Sequence, residues 1–222
     1  MIECENDRIS KSPITNHQSP ITKSPITNHQ SPITKSPITN HQSPITNHNM
    51  YPYLRIIKLF ATKNAKKELA IGDESILKMR VHLGDIDPFM ELNNGRHLTM
   101  MDFGRFDLAF RSGLMKVIKQ KGWGLAVAGA SVRYRHRLKL WQKYTLYSQV
   151  VGYDDKWFYF HQKTVSNGKI HSAALIRTAI TSKNGIVKSK NVLEAMGYNN
   201  ISYNVPDWVL AWAKADELRP WK

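Results

Sequence analysis

From Ser75 to Leu83 the chain interleaves Leu77, Met79 and Val81 with Ile76, Lys78 and Arg80, the two-residue period of a half-buried strand. The period then changes. Between Asn94 and about Lys119 the apolar residues Leu98, Met101, Phe106, Ala109, Phe110, Leu114 and Val117 return at helical spacing, predicting one long, largely buried helix. Gly95 and Gly104 lie inside it; glycine weakens a helix, so each marks a packing constraint or a close backbone approach. Upstream, the stretch from Tyr51 to Ala70 contains LRIIKLF, which reads as a short basic amphipathic helix that caps the core or touches a membrane surface.

After Gly122-Trp123-Gly124 strand patterns take over at Ala126–Leu138, Gln142–Tyr153, Lys156–Val165 and Lys169–Ser182. Asp154-Asp155 and Asn167-Gly168 separate the last three, and Asn-Gly suits a two-residue hairpin turn with positive φ. Strands joined by such short turns run antiparallel. A helix at Lys188–Met196 and an apolar-aromatic segment at Trp208–Trp212 close the chain. Strand, loop, buried helix and then antiparallel strands define an α+β class with the sheet wrapped around one helix.

The first 49 residues do not share this patterning. KSPITNHQSPIT occurs at 11–22, 23–34 and 35–46 without a change and ends in Asn47-His48-Asn49. Unchanged copies point to recent duplication, and the period matches no common solenoid. Without an aromatic residue, and with repeated Ser-Pro steps, the leader cannot bury enough surface to offset the entropy of ordering, so disorder is expected. His17, His29, His41 and His48 lack the short spacing of a metal-ligand pair. Ordinary protein-like composition starts at Met50, which suggests translation from there; SPIT-repeat peptides in the mass spectrum of the native protein would contradict this. The expected folded unit is a single domain over 50–222.

Charge sharpens the picture. From Met50 onward there are 28 Lys and Arg against 14 Asp and Glu, an excess that attracts anionic partners. No nucleic-acid reading motif accompanies it, so no nucleic acid is expected. Cys4 is the one cysteine, which leaves the domain no thiol nucleophile, disulfide or Cys-based zinc site. No uncharged apolar run reaches the roughly 18 residues that cross a bilayer, and Glu3, Glu5 and Asp7 are unlike a signal peptide. A cytoplasmic protein, at most peripherally membrane-associated, is expected. Neither a Gly-rich phosphate loop nor a GxSxG elbow is present.

Candidate chemistry collects at the entry to the long helix, Asp85-Ile86-Asp87-Pro88-Phe89-Met90-Glu91-Leu92-Asn93-Asn94-Gly95-Arg96. A helix N-terminus offers unpaired N–H groups and partial positive charge to a carbonyl oxygen. A carboxylate beside it can act as a base toward water or as a nucleophile. Capping by Asn93 or Asn94 explains part of the same run. Asp102 is spaced to pair with Arg105 or Arg96. His161 and His171 stand isolated in strands, and no metal is expected.

The run resembles the D-x-D-x-x-x-H-x-N-N-G-R-Y-L motif of hot-dog-fold acyl-CoA thioesterases, in the 4-hydroxybenzoyl-CoA thioesterase-like branch that includes thioesterase superfamily member 6. The likeness extends over nearly all of 50–222, through NNGRHLTMMDFGRFDL, ASVRYRHRL and GYDDKWFYFHQ. It implies a hot-dog fold, hydrolysis of an acyl-CoA to free acid and CoA, no cofactor beyond the CoA of the substrate, and a homodimer or homotetramer. By position, Asp87 matches the acid that serves as base or nucleophile, and Asn93, Asn94 and Gly95 match the segment near the thioester carbonyl. Glu91 stands where many relatives have histidine and is itself a candidate base; His97 replaces the usual tyrosine. Arg133, Arg135 and Arg137, with His136, are candidate contacts for CoA phosphates. The alternative is a non-catalytic hot-dog protein that binds acyl chains, a membrane surface or a protein partner.

Overall fold

The computed structural model describes residues 52–62, 66–199 and 204–220. The expectations for the repeat leader, its histidines and the start at Met50 fall outside the described residues. α1 (Tyr53–Thr62) is followed by β1 (Ser75–Arg80), a single 3-10 turn at Leu83–Asp85, α2 (Asn94–Arg111) and α3 (Leu114–Lys121). Four long strands come next, β2 (Gly124–Tyr134), β3 (Lys143–Tyr153), β4 (Phe158–Ser166) and β5 (Lys169–Ser182). The short β6 (Gly185–Ile186), α4 (Ser189–Ala195) and α5 (Asp207–Glu217) complete the described chain. No described helix is long and apolar enough to cross a membrane.

The sheet order is β1-β3-β4-β5-β2, with β6 beside β5, and every pairing is antiparallel. Asn167 and Gly168 adopt φ of 48° and 70°, so the β4–β5 hairpin turns as its Asn-Gly pair requires. β1 and β2 are the two edges although they flank α2 in sequence. This places α2 across one face of the sheet, where Met101 and Leu108 pack against Leu146, Phe160 and Ile176 in a single core cluster.

The expected single helix is two. α2 ends at Arg111, Ser112 caps it, and Gly113 takes φ 80° before α3 begins. Apolar spacing runs on through Leu114 and Val117 because both helices bury a face, and this masks the break that Ser112-Gly113 encodes. Gly104 meets the expectation for a close approach: a Cβ there would overlap Ser148 Oγ on β3.

Polar residues fasten α2 on both sides. Asp107, fully buried, accepts from Lys66 Nζ at 2.7 Å, Ser75 Oγ at 2.8 Å and Arg111 Nη1 at 2.9 Å. On the sheet side, Gln162 donates to Met101 O at 2.8 Å and to Ser148 Oγ at 2.6 Å and accepts from Arg105 Nη1 at 2.6 Å. α5 covers the opposite face of the sheet. There the Arg177 guanidinium lies 5.0 Å from the Trp157 ring and 5.4 Å from the Trp212 ring and donates to Asp216 at 2.7 Å.

Candidate functional site

The loop between β1 and α2 is built by its own hydrogen bonds. Asp85, 3% exposed, accepts from the His82 N–H at 2.9 Å and from Arg55 Nη2 at 2.6 Å, which pins the loop to α1. Asp87 N–H donates to Glu91 O at 2.9 Å, and Met90 N–H donates to Asp87 O at 3.0 Å, closing a tight turn. Asp87 Oδ1 accepts from the N–H groups of Phe89 at 2.9 Å and Glu91 at 3.4 Å. Among the described residues its Oδ2 accepts no hydrogen bond, so one oxygen orients the half-buried carboxylate and the other is available. Met90 sits at φ 60°, a left-handed conformation that costs a side-chain-bearing residue energy and that concentrates at functional turns.

The helix entry is capped by Asn93, whose Oδ1 accepts from Gly95 N–H at 2.9 Å and Arg96 N–H at 3.3 Å. The Gly95 N–H, in the segment expected near the thioester carbonyl, is thus directed at Asn93. Asn94 occupies the exposed first position of α2, and its carbonyl accepts from Tyr134 Oη at 3.0 Å. Arg96 donates to Gly84 O at 3.0 and 2.8 Å, leaving Asp102 to pair with Arg105.

The Glu91 carboxylate pairs with an arginine. Its Oε2 lies 3.0 Å from Arg137 Nε, and its backbone bridges to Lys139. The strand expected over Ala126–Leu138 stops at Tyr134, so Arg133 lies in β2 and Arg135 and Arg137 lie beyond it. All three are exposed, and Arg137 is engaged by Glu91.

Three residues that the sequence did not single out complete the surroundings. Tyr134 ties β2 to Asn94, and its ring meets the His97 ring edge-on at 5.0 Å. Ser172 Oγ lies 3.2 Å from His97 Nδ1, and Thr164 Oγ1 is 2.8 Å from Ser172 Oγ. Burial, helped by the nearby His171, lowers the His97 pKa to about 4, so His97 is neutral near pH 7 and braces the helix from below. His171 Nδ1 lies 3.0 Å from Arg137 O, and His161 packs against Trp208 with its pKa lowered by burial, then by Lys163. Among the described residues no group of three His, Cys, Asp or Glu is placed to hold a metal ion.

A curled antiparallel sheet around a helix is the hot-dog fold, and known structures agree. The probable thioesterase YbaW from Escherichia coli superposes with a TM-score of 0.51 at 20% identity, over 55% of this chain and 98% of that one. SAV2348 from Staphylococcus aureus, solved in complex with CoA, superposes with a TM-score of 0.52 at 13% identity, over 64% of this chain and 96% of that one. Sequence comparison reaches the family itself: residues 81–213 match the profile of the thioesterase-like superfamily, and the chain belongs to it. Protein THEM6 from Xenopus laevis is 37% identical over 82 residues, which span 37% of this chain and 40% of that relative. Protein THEM6 from Drosophila melanogaster is 26% identical over 169 residues, 75% of this chain and 81% of the relative.

Proposed function

We propose that the protein hydrolyses an acyl-CoA thioester to a free acid and CoA, with Asp87 as the general base. The observation that carries this reading is the Asp87 turn: one carboxylate oxygen is held by two backbone N–H groups, and the other accepts no hydrogen bond among the described residues, in the loop that leads into α2. In the reaction Oδ2 takes a proton from water as the water oxygen attacks the thioester carbon. The carbonyl oxygen becomes an oxyanion, stabilised by the Asn94 N–H and the positive end of α2. Its collapse breaks the carbon–sulfur bond, and the proton on Asp87 passes to the departing CoA thiolate. Asn93 shapes the site through its cap, and Glu91 is paired with Arg137. CoA as leaving group draws support from the CoA complex of the Staphylococcus aureus relative in fold. Arg133 and Arg135, exposed beyond the site, would meet its phosphates.

The reading includes a homodimer. β2 is an eleven-residue edge strand rich in Ala, Val and Gly, and an exposed edge of that length favours pairing with a second copy. A cytoplasmic setting accords with the lack of any described helix able to cross a membrane.

Thiol release from short, long and aromatic acyl-CoAs tests the proposal on the full chain. Asp87→Ala should lose about 10²–10⁴-fold in turnover, while Glu91→Ala retains most of it. Absence of turnover with every substrate would refute the enzyme. The non-catalytic binding alternative rests on the Gly95 N–H being consumed by the cap; acyl-CoA binding without turnover would establish it.

A further inference from the structure

α1 meets the body of the protein through Arg55 and Leu59. The Arg55 guanidinium donates to the buried Asp85 at 2.6 Å, and Leu59, one turn on, is buried. The other side of the helix faces outward. Leu54 and Ile57 are 83% and 60% exposed, Tyr53 and Phe60 are exposed with them, and so is Ala61. Spacings of three and four residues set these five on one face.

A helix that served only to cover α2 would turn Leu54 and Ile57 inward. Rolling α1 that way is opposed, because it would leave the buried Asp85 carboxylate without its arginine and bring Leu59 into water. The Phe60 ring also rests on Phe110, with 4.2 Å between centroids. The fold therefore holds an apolar face toward solvent. Single exposed apolar side chains are ordinary, but a contiguous face of them marks an interaction surface.

The charge around this face decides what it meets. Lys58 is exposed on the flank of α1, one turn from Leu54 and so its neighbour on the helix surface. α1 and β1 border one groove, where Lys58 shares the lining with Lys78, Arg80 and Lys143. Lys78 and Arg80 are exposed on β1, and Lys143 is exposed across from Arg80. No Asp or Glu lines the groove, and none of these four cations forms an ion pair among the described residues. A second copy docked on this face would set the cations against their own kind, which is costly. A bilayer with anionic headgroups suits both features: its acyl boundary takes the apolar side chains and its headgroups take the cations.

We propose that α1 docks the protein on the surface of an anionic phospholipid bilayer. The helix lies in the plane of the interface, with Leu54 and Ile57 at the boundary of headgroups and acyl chains and Lys58 at the lipid phosphates. Lys78, Arg80 and Lys143 add attraction from the neighbouring groove. The contact is peripheral, and it stands whether or not the protein hydrolyses a thioester.

The test is sedimentation of the full chain with vesicles of phosphatidylcholine alone and of phosphatidylcholine mixed with phosphatidylserine. Binding to the mixed vesicles should be at least about tenfold tighter and should weaken as salt is raised. Leu54→Gln/Ile57→Gln should lose about tenfold or more in binding. Its urea midpoint should match the parent's, because both side chains already lie in water and glutamine is a good helix former. Lys58→Glu/Arg80→Glu should lose about tenfold or more as well. The proposal is overturned if the parent does not bind the mixed vesicles, if both kinds of vesicle bind it equally, or if either double variant binds as the parent does. It is also overturned if Leu54→Gln/Ile57→Gln changes the sedimentation coefficient of the lipid-free protein, since a second copy would then be what covers the face.

Discussion

Replacing Gly104 by alanine tests how the central helix meets the sheet. On an exposed helix the change would stabilise by about 1 kcal/mol, since alanine is the better helix former. Here the new Cβ would overlap Ser148 Oγ and come within 3.0 Å of Gln162 Nε2 and Ser148 Cβ. Ser148 and Gln162 are fully buried, so neither can swing into solvent. Moving Ser148 Oγ breaks its 2.6 Å bond from Gln162 Nε2 and strains the 2.8 Å bond from the same nitrogen to Met101 O. Overpacking costs about 1–3 kcal/mol, and a buried donor left unpaired costs about 1–3 kcal/mol more. Offset by the propensity gain of about 1 kcal/mol, the net loss is about 1–5 kcal/mol. Urea unfolding of the full chain measures it from the shift in midpoint at constant slope. Adding Ser148→Ala to Gly104→Ala should recover part of the loss, because the most overlapped atom is gone. Unchanged or raised stability in Gly104→Ala would refute the close approach.

His97 makes stability depend on pH. Its pKa is about 4 in the folded protein against 6.5 for the free side chain, so the unfolded chain binds the extra proton between those values. Stability should be full above about pH 6.5 and fall by about 3 kcal/mol as pH drops toward 4; comparing the pH profile of His97→Asn with the parent isolates this slope. Asp107→Ala leaves Lys66, Arg111 and Ser75 without their shared acceptor, and urea unfolding should show a loss of about 3–5 kcal/mol. Trp212→Ala opens one side of the Arg177 sandwich, and faster proteolysis within α5 should follow before the sheet is attacked. Asn93→Ala removes the α2 cap, with a cost of about 1 kcal/mol in thermal or urea unfolding.

The sequence alone determined the elements and their class. Alternation from Ser75, the apolar period from Asn94 and the Asn167-Gly168 turn are local signals, and local backbone preference decides them. The motif around Asp87-Asn93-Asn94-Gly95 located the acidic turn at the α2 N-terminus for the same reason, because turn chemistry and capping act over a few residues. The break at Gly113 was also written locally, yet the apolar pattern ran across it.

Tertiary structure decided what the long-range contacts impose. Only folding brings β2 beside β5, which puts Tyr134 on Asn94 and Ser172 under His97. Only folding turns Arg137 back onto Glu91 and takes it away from a row of equivalent arginines. Such pairings depend on which segments distant in sequence come within a few ångströms, and no periodicity in one chain records that.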